Sequence, residues 1–417
     1  MSLPKSRLLV IGCVWPEPNS SAAGSRMLQL LEFFLAENYK ITFVTTAARS
    51  EFAIDLEKMN IASEVIKMNH PSFDELLKNI QPDLVLFDRF MTEEQFGWRV
   101  DETCPQAIKI LDTEDLHFLR KTRIGAFKKN IPAEDLYFDA EITKREIASI
   151  YRCDLSLIIS EVEIKLLQEE FKISSKLLHY LPFQLEPISE EEKINLPGFE
   201  QRNNFISIGN FLHEPNWNAV LYLKEEIWPL IRQELPGAKL YIYGAYPSQK
   251  VWNLHNEKEG FIVKGRAENA EAVMRNAKVC LAPIRFGAGL KGKLIQAMQC
   301  GTPAVTTSVG AEGIPGELAW NRFITNDPKE FAKKAVSLYT EENLWKDAVE
   351  NGFKIINSRF NKTEHQQEFS KKLTELIQNI SVYRRENFVG KMLQHHQHKS
   401  TYFMAKFIEE KEKSKLL

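Results

Sequence analysis

A glycine-rich turn flanked by positively charged residues stands out in the second half of the chain. It reads Arg285-Phe-Gly-Ala-Gly-Leu-Lys-Gly-Lys, and it lies between a predicted buried strand, Val279 to Ala282, and a helix predicted to begin near Lys291. The free N–H groups of a first helical turn attract anions, and glycine lets a phosphate approach the backbone. Arg285, Lys291 and Lys293 add positive charge at the same place. The pattern therefore predicts a diphosphate site, with a tight turn that binds nothing as the alternative.

These residues belong to a longer pattern. Gln296-Ala-Met, Cys300-Gly-Thr-Pro and Gly310-Ala-Glu-Gly follow the turn, while Gly209-Asn-Phe-Leu-His-Glu-Pro-Asn-Trp-Asn-Ala-Val and Trp228-Pro-Leu-Ile-Arg precede it. Together these segments resemble the donor-binding region of family 4 glycosyltransferases. The resemblance implies the GT-B fold, in which two Rossmann-like, doubly wound α/β domains face each other across a cleft. It also implies a nucleotide-sugar donor and retention of anomeric configuration.

The resemblance further implies roles for individual residues. The catalytic set would be Asp115 and His117, which face the donor sugar or the acceptor, with Arg285 and Lys291 on the diphosphate. The donor-binding set would be Ser21, Gly24, Arg26, Gly265, Arg266, Phe286, Gly287, Gly289, Lys293, Gln296 and Glu312. In this scheme the loop at 265–268 borders the base, and Tyr246 either stacks on that base or is an ordinary surface aromatic. The donor would be a UDP- or GDP-sugar, and neither a metal nor another cofactor would be required.

Two positions depart from the pattern of the family. Gln296 replaces the glutamate that grips the ribose hydroxyls, and Ala288 occupies the position of a second family glutamate. A glutamine still forms hydrogen bonds with a diol, but without the strength that a charge adds. The substitution is compatible with a working donor site and equally with weakened or altered donor binding.

The N-terminal half shows the order strand, loop, helix, strand. Leu8 to Val14 and Ile41 to Thr46 are predicted strands, and the helix between them buries one apolar face. Ser21, Gly24 and Arg26 lie where the first strand gives way to this helix, which is where doubly wound folds bind ligands. A capped turn without a ligand is the alternative.

Another predicted strand ends at Asp112, and polar residues follow it closely. Glu114, Asp115 and His117 come next, with Arg120 one helical turn further on. Asp115 and His117 are the candidates for contact with sugar hydroxyls. Two acids and one histidine are few ligands for a metal. The alternative is a solvated helix cap without a functional role.

The length of 417 residues predicts more than one domain. We expect a first Rossmann-like domain on the acceptor side over 1–185, a linker over 186–203, a second, nucleotide-sugar-binding domain over 204–380, and a helical segment over 381–417 that packs back on the first domain. The linker is rich in proline and carries the acidic run Glu190 to Glu192.

Net charge, cysteine spacing and the length of apolar runs argue against several classes of protein. The formal net charge of −2 argues against a protein held to polyanions by its overall charge. The five cysteines are scattered without paired spacing, which favours free thiols in a cytoplasmic protein. Apolar runs fall short of the roughly 18 residues needed to span a membrane.

The sequence thus predicts a retaining hexosyltransferase. Its acceptor (glycan, lipid, protein or nucleic acid) and its oligomeric state stay open. A non-catalytic sugar-nucleotide-binding protein, with a regulatory or partner role, is one alternative, and it rests on Gln296. Another GT-B enzyme, such as a sugar-nucleotide epimerase or a phosphorylase, is a further alternative.

Overall fold

The computed structural model describes residues 6–318 and 320–414, without the side chains of residues 321, 396–399 and 413. Residues 1–5 and 415–417, at the outer ends of the first and last predicted segments, lie outside the described residues, as does residue 319.

The first domain is a parallel sheet with helices on both faces. Its strands are β1 (Arg7–Gly12), β2 (Lys40–Thr45), β3 (Ala62–Val65), β4 (Leu84–Asp88), β5 (Ile108–Asp112), β6 (Leu155–Ile158) and β7 (Leu178–Tyr180), in the spatial order β3-β2-β1-β4-β5-β6-β7. Its helices are α1 (Ala22–Ala36), α2 (Ser72–Ile80), α3 (Phe90–Thr103), α4 (His117–Lys129), α5 (Glu141–Arg152) and α6 (Glu161–Glu169).

The second domain repeats this architecture after the short helix α7 (Glu190–Ile194). Its strands are β8 (Asn203–Ile208), β9 (Leu240–Tyr243), β10 (Phe261–Gly265), β11 (Ala277–Ala282) and β12 (Ala304–Thr306), in the order β10-β9-β8-β11-β12. Its helices are α8 (Glu214–Tyr222), α9 (Trp228–Glu234), α10 (Gln249–Trp252), α11 (Ala270–Asn276), α12 (Gly292–Gln299), α13 (Ser308–Ala311), α14 (Pro328–Thr340) and α15 (Glu342–Arg359), with a π-helical turn, Leu223–Ile227, between α8 and α9.

Apolar composition explains which strands are central. Every residue of β4, β5 and β11 is buried, because helices cover both faces of a parallel sheet. β3 differs: it lies at the edge, and its residues are exposed or only partly buried. β3 therefore lacks the continuous apolar run from which a buried strand is predicted.

The chain crosses between the domains at two adjacent places. The N–H of Leu185 donates to the carbonyl oxygen of Phe360 (2.7 Å), and the N–H of Lys362 donates to that of Leu185 (2.8 Å). After the second crossing, α16 (Lys362–Glu386) and α17 (Phe388–Lys413) run back over the first domain. The return begins before residue 381, since Phe369 and Leu373 of α16 already pack in the first domain's core.

We predict that Phe369→Ala destabilises the first domain. Phe369 is fully buried between Phe33, whose ring centroid is 4.7 Å away, and His179 at 5.3 Å. Loss of a buried phenylalanine side chain leaves a cavity and should lower the free energy of unfolding by about 3–5 kcal/mol. Urea denaturation followed by circular dichroism measures the change. Ile377→Ala, at an exposed position of the same helix, is the control, and equal effects of the two substitutions would contradict the packing described.

Candidate functional site

A cavity of about 870 Å³ lies between the two domains, at the carboxyl ends of their strands. In open parallel sheets this is where ligands bind. Many residues predicted from the sequence line it: Ser21, Gly24, Asp115, His117, Arg266, Gly287, Gly289, Lys291, Lys293 and Gln296. The structure thus brings residues from distant parts of the chain around one space.

Two lysines supply positive charge to the second domain's wall of the cavity. The Lys291 ammonium donates to the carbonyl oxygens of Gly289 (2.7 Å) and Ala288 (3.2 Å), and the Lys293 ammonium donates to Asn216 Oδ1 (2.7 Å). Burial lowers the pKa of both amines, that of Lys293 to about 8. Their direct partners are neutral oxygens, so an anion would find two cations whose charge is not already compensated by a hydrogen-bonded carboxylate.

Two helix N-termini meet beside these lysines. Helix α12 begins at Gly292, and no side chain of the described residues caps it. A Cβ built on Gly292 would lie 2.9 Å from the Cβ of Ala22, the first residue of α1. The first turns of both helices therefore lie next to each other where they line the cavity, and the positive end of each helix dipole favours a bound anion there.

The first domain holds the glycine turn in place. Buried Glu163 accepts hydrogen bonds at Oε1 from the N–H of Gly289 (2.8 Å) and from that of Leu116 (3.1 Å). Arg123 donates from Nη1 to the carbonyl oxygen of Gly287 (2.8 Å). The conformation of the turn therefore depends on contacts from the opposite domain.

Arg123 also determines the position of Glu312. Its Nη1 and Nη2 donate to Glu312 Oε2 (2.6 Å) and Oε1 (2.8 Å), which makes a two-pronged ion pair between the domains. Glu312 was predicted to bind the donor. In the structure its carboxylate is taken up by Arg123, and it is not among the residues that line the cavity.

Asp115 and His117 form a pair on the first domain's side of the cavity. His117 Nδ1 lies 3.1 Å from the carbonyl oxygen of Asp115 and 3.3 Å from its Oδ1. Burial lowers the pKa of His117 to about 4, so the ring is neutral at pH 7. Although burial opposes it, the adjacent Arg120 guanidinium, which donates to Oδ2, lowers the pKa of Asp115 to about 2. The pair can therefore present a carboxylate and a neutral imidazole to a hydroxylated ligand.

Arg285, predicted to contact the diphosphate, is held away from the cavity. Its guanidinium lies over the rings of Tyr222 (4.3 Å) and Phe127 (4.7 Å), and its Nε donates to Asn218 Oδ1 (2.8 Å). The next residue, Phe286, is buried and packs on Phe127 at 5.0 Å between ring centroids. Both side chains therefore join the domains at the edge of the cleft rather than lining it.

Arg26 and Gly265 also lie away from the cavity wall. Arg26 is 1% exposed, and its Nη2 forms an ion pair with Asp112 Oδ1 at 2.7 Å. Its Nη1 donates to the carbonyl oxygen of Leu181 (2.6 Å), so the side chain joins α1 to β5 and the chain after β7. Gly265 ends β10 with φ +73°, and its carbonyl oxygen accepts the N–H of Gly244 (2.8 Å). Both residues therefore hold together the elements that form the cavity wall, without lining the cavity themselves.

Tyr246 and Arg266 cross the cleft. The Tyr246 hydroxyl donates to Glu17 Oε2 (3.0 Å), and the Arg266 guanidinium lies 4.0 Å from the centre of the Phe52 ring. Both of these residues line the cavity, as does Glu17. The Tyr246 hydroxyl is therefore engaged by the first domain, and its ring lies 5.8 Å from the ring of Phe52 between centroids.

Sequence reasoning missed several residues that shape the site. His213 and Asn216 line the cavity at the start of α8, Arg123 and Glu163 hold the glycine turn, and Asp88 lies on the cavity floor. His213 and Asn216 stand within the quoted stretch after Gly209, where their polar character was a usable signal. Arg123 and Glu163 sit in charged helical segments, so only their tertiary contacts distinguish them.

Two further features were searched for in the described residues: a cluster of metal ligands and a membrane-spanning helix. In the described residues, His, Cys, Asp and Glu side chains do not form a group of three or more suited to holding a metal ion. None of the helices in residues 6–318 and 320–414 combines the length and the apolar character that a membrane crossing requires.

Similarity to known proteins agrees with this geometry. Residues 202–341 match the family model described as "Glycosyl transferases group 1". The match includes the glycine turn, both lysines and the strands on either side of α12. It supports a glycosyltransferase enzyme.

Solved structures show the fold. Sucrose-phosphate synthase from Thermosynechococcus elongatus superimposes with a TM-score of 0.66 and 15% identity, over 89% of this chain and 99% of that one. Anabaena HepE in complex with UDP and glucose gives a TM-score of 0.62 and 14% identity, over 88% of this chain and 99% of that one. The predicted fold is confirmed: the chain has the GT-B arrangement of two Rossmann-like domains.

One curated relative matches in sequence. It is an uncharacterized 44.6 kDa protein in the cps region of Klebsiella pneumoniae, 24% identical over 164 residues, which are 38% of this chain and 42% of the relative. The chain thus matches less than half the length of that relative, and its activity does not follow from the match.

We predict that Glu163→Gln changes how stability depends on pH. Burial raises the pKa of Glu163 to about 7, against about 4.3 in an unfolded chain. Between those values the folded state binds more protons than the unfolded state, so this group makes stability fall as pH rises. The variant keeps an acceptor oxygen for both N–H groups but loses the titration. Its stability relative to the wild type should therefore increase by about 2–4 kcal/mol from pH 4 to pH 8.

Urea denaturation at pH 4, 6 and 8 tests this. Glu169→Gln on the exposed face of the same helix is the control. A constant difference between Glu163→Gln and the wild type across the three pH values would show that Glu163 titrates as an ordinary surface acid.

Proposed function

We propose that the protein is a retaining glycosyltransferase of family 4 that transfers a hexose from a UDP- or GDP-sugar to an acceptor. The observation that carries the proposal is the anion site between the domains: Lys291, Lys293 and the uncapped start of α12 at Gly292, with the start of α1 opposite. The match of residues 202–341 to the glycosyl transferases group 1 model supports it. So does the GT-B fold, in which Anabaena HepE holds UDP and glucose.

The chemistry needs stabilisation of a leaving diphosphate. The bond between the anomeric carbon and the phosphate oxygen breaks, a bond forms from that carbon to the acceptor oxygen, and the acceptor proton passes to a phosphate oxygen. Negative charge develops on the diphosphate as the first bond breaks, and cations fixed in advance lower the barrier. Lys291, Lys293 and the helix N-terminus fill this role, with no metal required.

Other residues that line the cavity are suited to bind the sugar, the ribose and the base of a nucleotide-sugar donor. Asp115 accepts hydrogen bonds from sugar hydroxyls as a carboxylate. His117, if its Nδ1 donates to the carbonyl of Asp115, has an unprotonated Nε2 that also accepts. Gln296 is available to the ribose and Arg266 to the base. The acceptor class stays open among glycans, lipids, proteins and nucleic acids. The cysteines at 13, 104, 153, 280 and 300 are all unpaired thiols, which suits a cytoplasmic enzyme.

A second candidate is a protein that binds sugar nucleotides without turnover. Gln296, in place of the usual glutamate, favours this candidate, because a glutamine lacks the charge that strengthens hydrogen bonds to the ribose hydroxyls. Release of UDP or GDP from a donor sugar, abolished by Lys291→Ala, would exclude this candidate. Binding of the same donor without any release in the presence of an acceptor library would support it.

The first test of the proposal is isothermal titration of the wild-type protein with UDP, GDP and their hexose conjugates. We expect either UDP or GDP to bind with a micromolar dissociation constant, and its hexose conjugate to bind as well. The other nucleotide should bind more weakly. A folded protein that binds none of them would refute the proposal.

We predict that Lys293→Met weakens UDP or GDP binding and removes part of its pH dependence. The pKa of Lys293 is lowered to about 8 by burial, so raising the pH through 8 neutralises the amine and should weaken binding in the wild type. A hydrogen bond to a charged group contributes about 1.5–3 kcal/mol, so the variant should lose roughly 10- to 100-fold in affinity at pH 7.

Titration at pH 7.0 and 9.0 measures both effects. Lys250→Met, at an exposed site in α10 of the same domain, controls for the loss of net charge. Equal affinities of Lys293→Met and Lys250→Met at pH 7 would place the diphosphate elsewhere.

A further inference from the structure

Helix α17 exposes a large amount of apolar surface. Six of its side chains are large, apolar and between 42% and 66% exposed: Phe388, Val389, Met392, Phe403, Met404 and Phe407. At 3.6 residues per turn these positions fall on one side of the helix. They form two clusters, one near each end of the helix, and none of the described residues of α17 lines the cavity.

The opposite side of α17 packs on the first domain. Near the start of the helix, Gly390 lies against the carbonyl oxygen of Tyr151, which a Cβ at residue 390 would approach to 2.1 Å. Near its end, Ala405 is buried, and the Glu409 carboxylate accepts a hydrogen bond from buried Arg99. Because the helix is held at both ends by this side, its apolar side faces away from the domain.

The exposed apolar area is large enough for a specific interface. The three phenylalanines are each about two-thirds exposed, so together they expose roughly 400 Å². With the valine and the two methionines the total reaches roughly 600 Å², which is as large as the largest apolar patch on a typical monomer. Two copies that cover each other's clusters would bury about 1,200 Å² of apolar surface, which is enough for a stable protein–protein interface.

The two clusters are arranged for pairing with an identical helix. Phe388 and Phe407 lie equally far from the point halfway between positions 397 and 398, and so do Met392 and Phe403. When two copies of α17 pack antiparallel about this point, Phe388 faces Phe407 of the second copy and Met392 faces Phe403 of the second copy. A two-fold axis makes each of these contacts twice, because the same surface serves both subunits.

The charges beside the second cluster do not favour a lipid surface. A helix that binds anionic lipids carries an excess of lysine and arginine next to its apolar side. Between residues 403 and 414 the chain has three lysines and three glutamates. This end of α17 therefore has no net charge with which to attract an anionic lipid, whereas a second copy covers its apolar side chains with others of the same kind.

We propose that α17 is a homodimer interface, on which α17 of a second copy of this chain packs antiparallel. The contact joins Phe388, Val389 and Met392 of each copy to Phe403, Met404 and Phe407 of the other. This inference is independent of the proposed glycosyl transfer, because residues of the cavity take no part in the contact.

Sedimentation velocity of the full chain over a range of concentrations tests the dimer. We expect a species of twice the mass of one chain, with a dissociation constant of about 1–50 µM. A protein that stays monomeric up to about ten times that concentration would overturn the inference. Flotation with vesicles of phosphatidylglycerol and phosphatidylcholine tests the lipid alternative: a monomer that floats with the vesicles would assign the apolar side of α17 to a membrane surface instead.

Phe403→Glu is the first variant. It places a carboxylate against Met392 of the second copy and should weaken dimerisation at least tenfold, because a charge would be buried in an apolar contact. Its thermal stability at a concentration where the protein is monomeric should equal that of the wild type, since Phe403 is exposed in the single chain. Ile194→Glu, at an exposed isoleucine of α7, is the matched control and should leave the dimer unchanged.

Met392→Lys combined with Phe403→Glu tests the antiparallel register. In the proposed pairing the new ammonium of each copy faces the new carboxylate of the other, so this double variant should dimerise at least tenfold more tightly than Phe403→Glu alone. A dimer that Phe403→Glu leaves intact, or a double variant that dimerises no better than Phe403→Glu, would overturn the proposed interface.

Discussion

The site depends on the absence of a side chain at residue 289. Gly289 has φ +63°, and a Cβ on it would lie 2.8 Å from the Cβ of Asp115 in the opposite domain. Only glycine lets the turn come close enough for Glu163 to accept its N–H. That approach sets the carbonyl oxygen to which Lys291 donates and hence the position of its ammonium. The geometry of the anion site is therefore determined jointly by both domains.

The two sides of the cavity differ in charge. Around the glycine turn the second domain contributes the cations Lys291 and Lys293 with a helix N-terminus, whereas the first domain contributes carboxyl groups beside the guanidinium groups of Arg89 and Arg120 and a neutral imidazole. A substrate with an anionic part and a hydroxylated part would be oriented by this asymmetry before any chemistry takes place. Orientation of that kind is a large part of the rate gain in bimolecular reactions. The contacts between the domains thus place both kinds of group around one cavity.

The sequence predicted the fold well because its signals are local. Buried parallel strands are continuous apolar runs, and glycine marks the turns that follow them. Cation position was harder to predict. Lys291 and Lys293 reached the cavity as expected, but Arg285 is drawn between Phe127 and Tyr222 and Glu312 is held by Arg123. Those partners lie far away in sequence or in the other domain, so the spacing of residues along the chain does not predict these contacts.

The paired crossings at Leu185 and Phe360 have a consequence for turnover. Because they are hydrogen-bonded side by side, a rotation of one domain relative to the other would bend the chain at these two neighbouring places, outside both sheets. The same rotation would break the bonds that cross the cleft, such as that from Tyr246 to Glu17. An enzyme that must open in this way in every cycle turns over no faster than its domains separate.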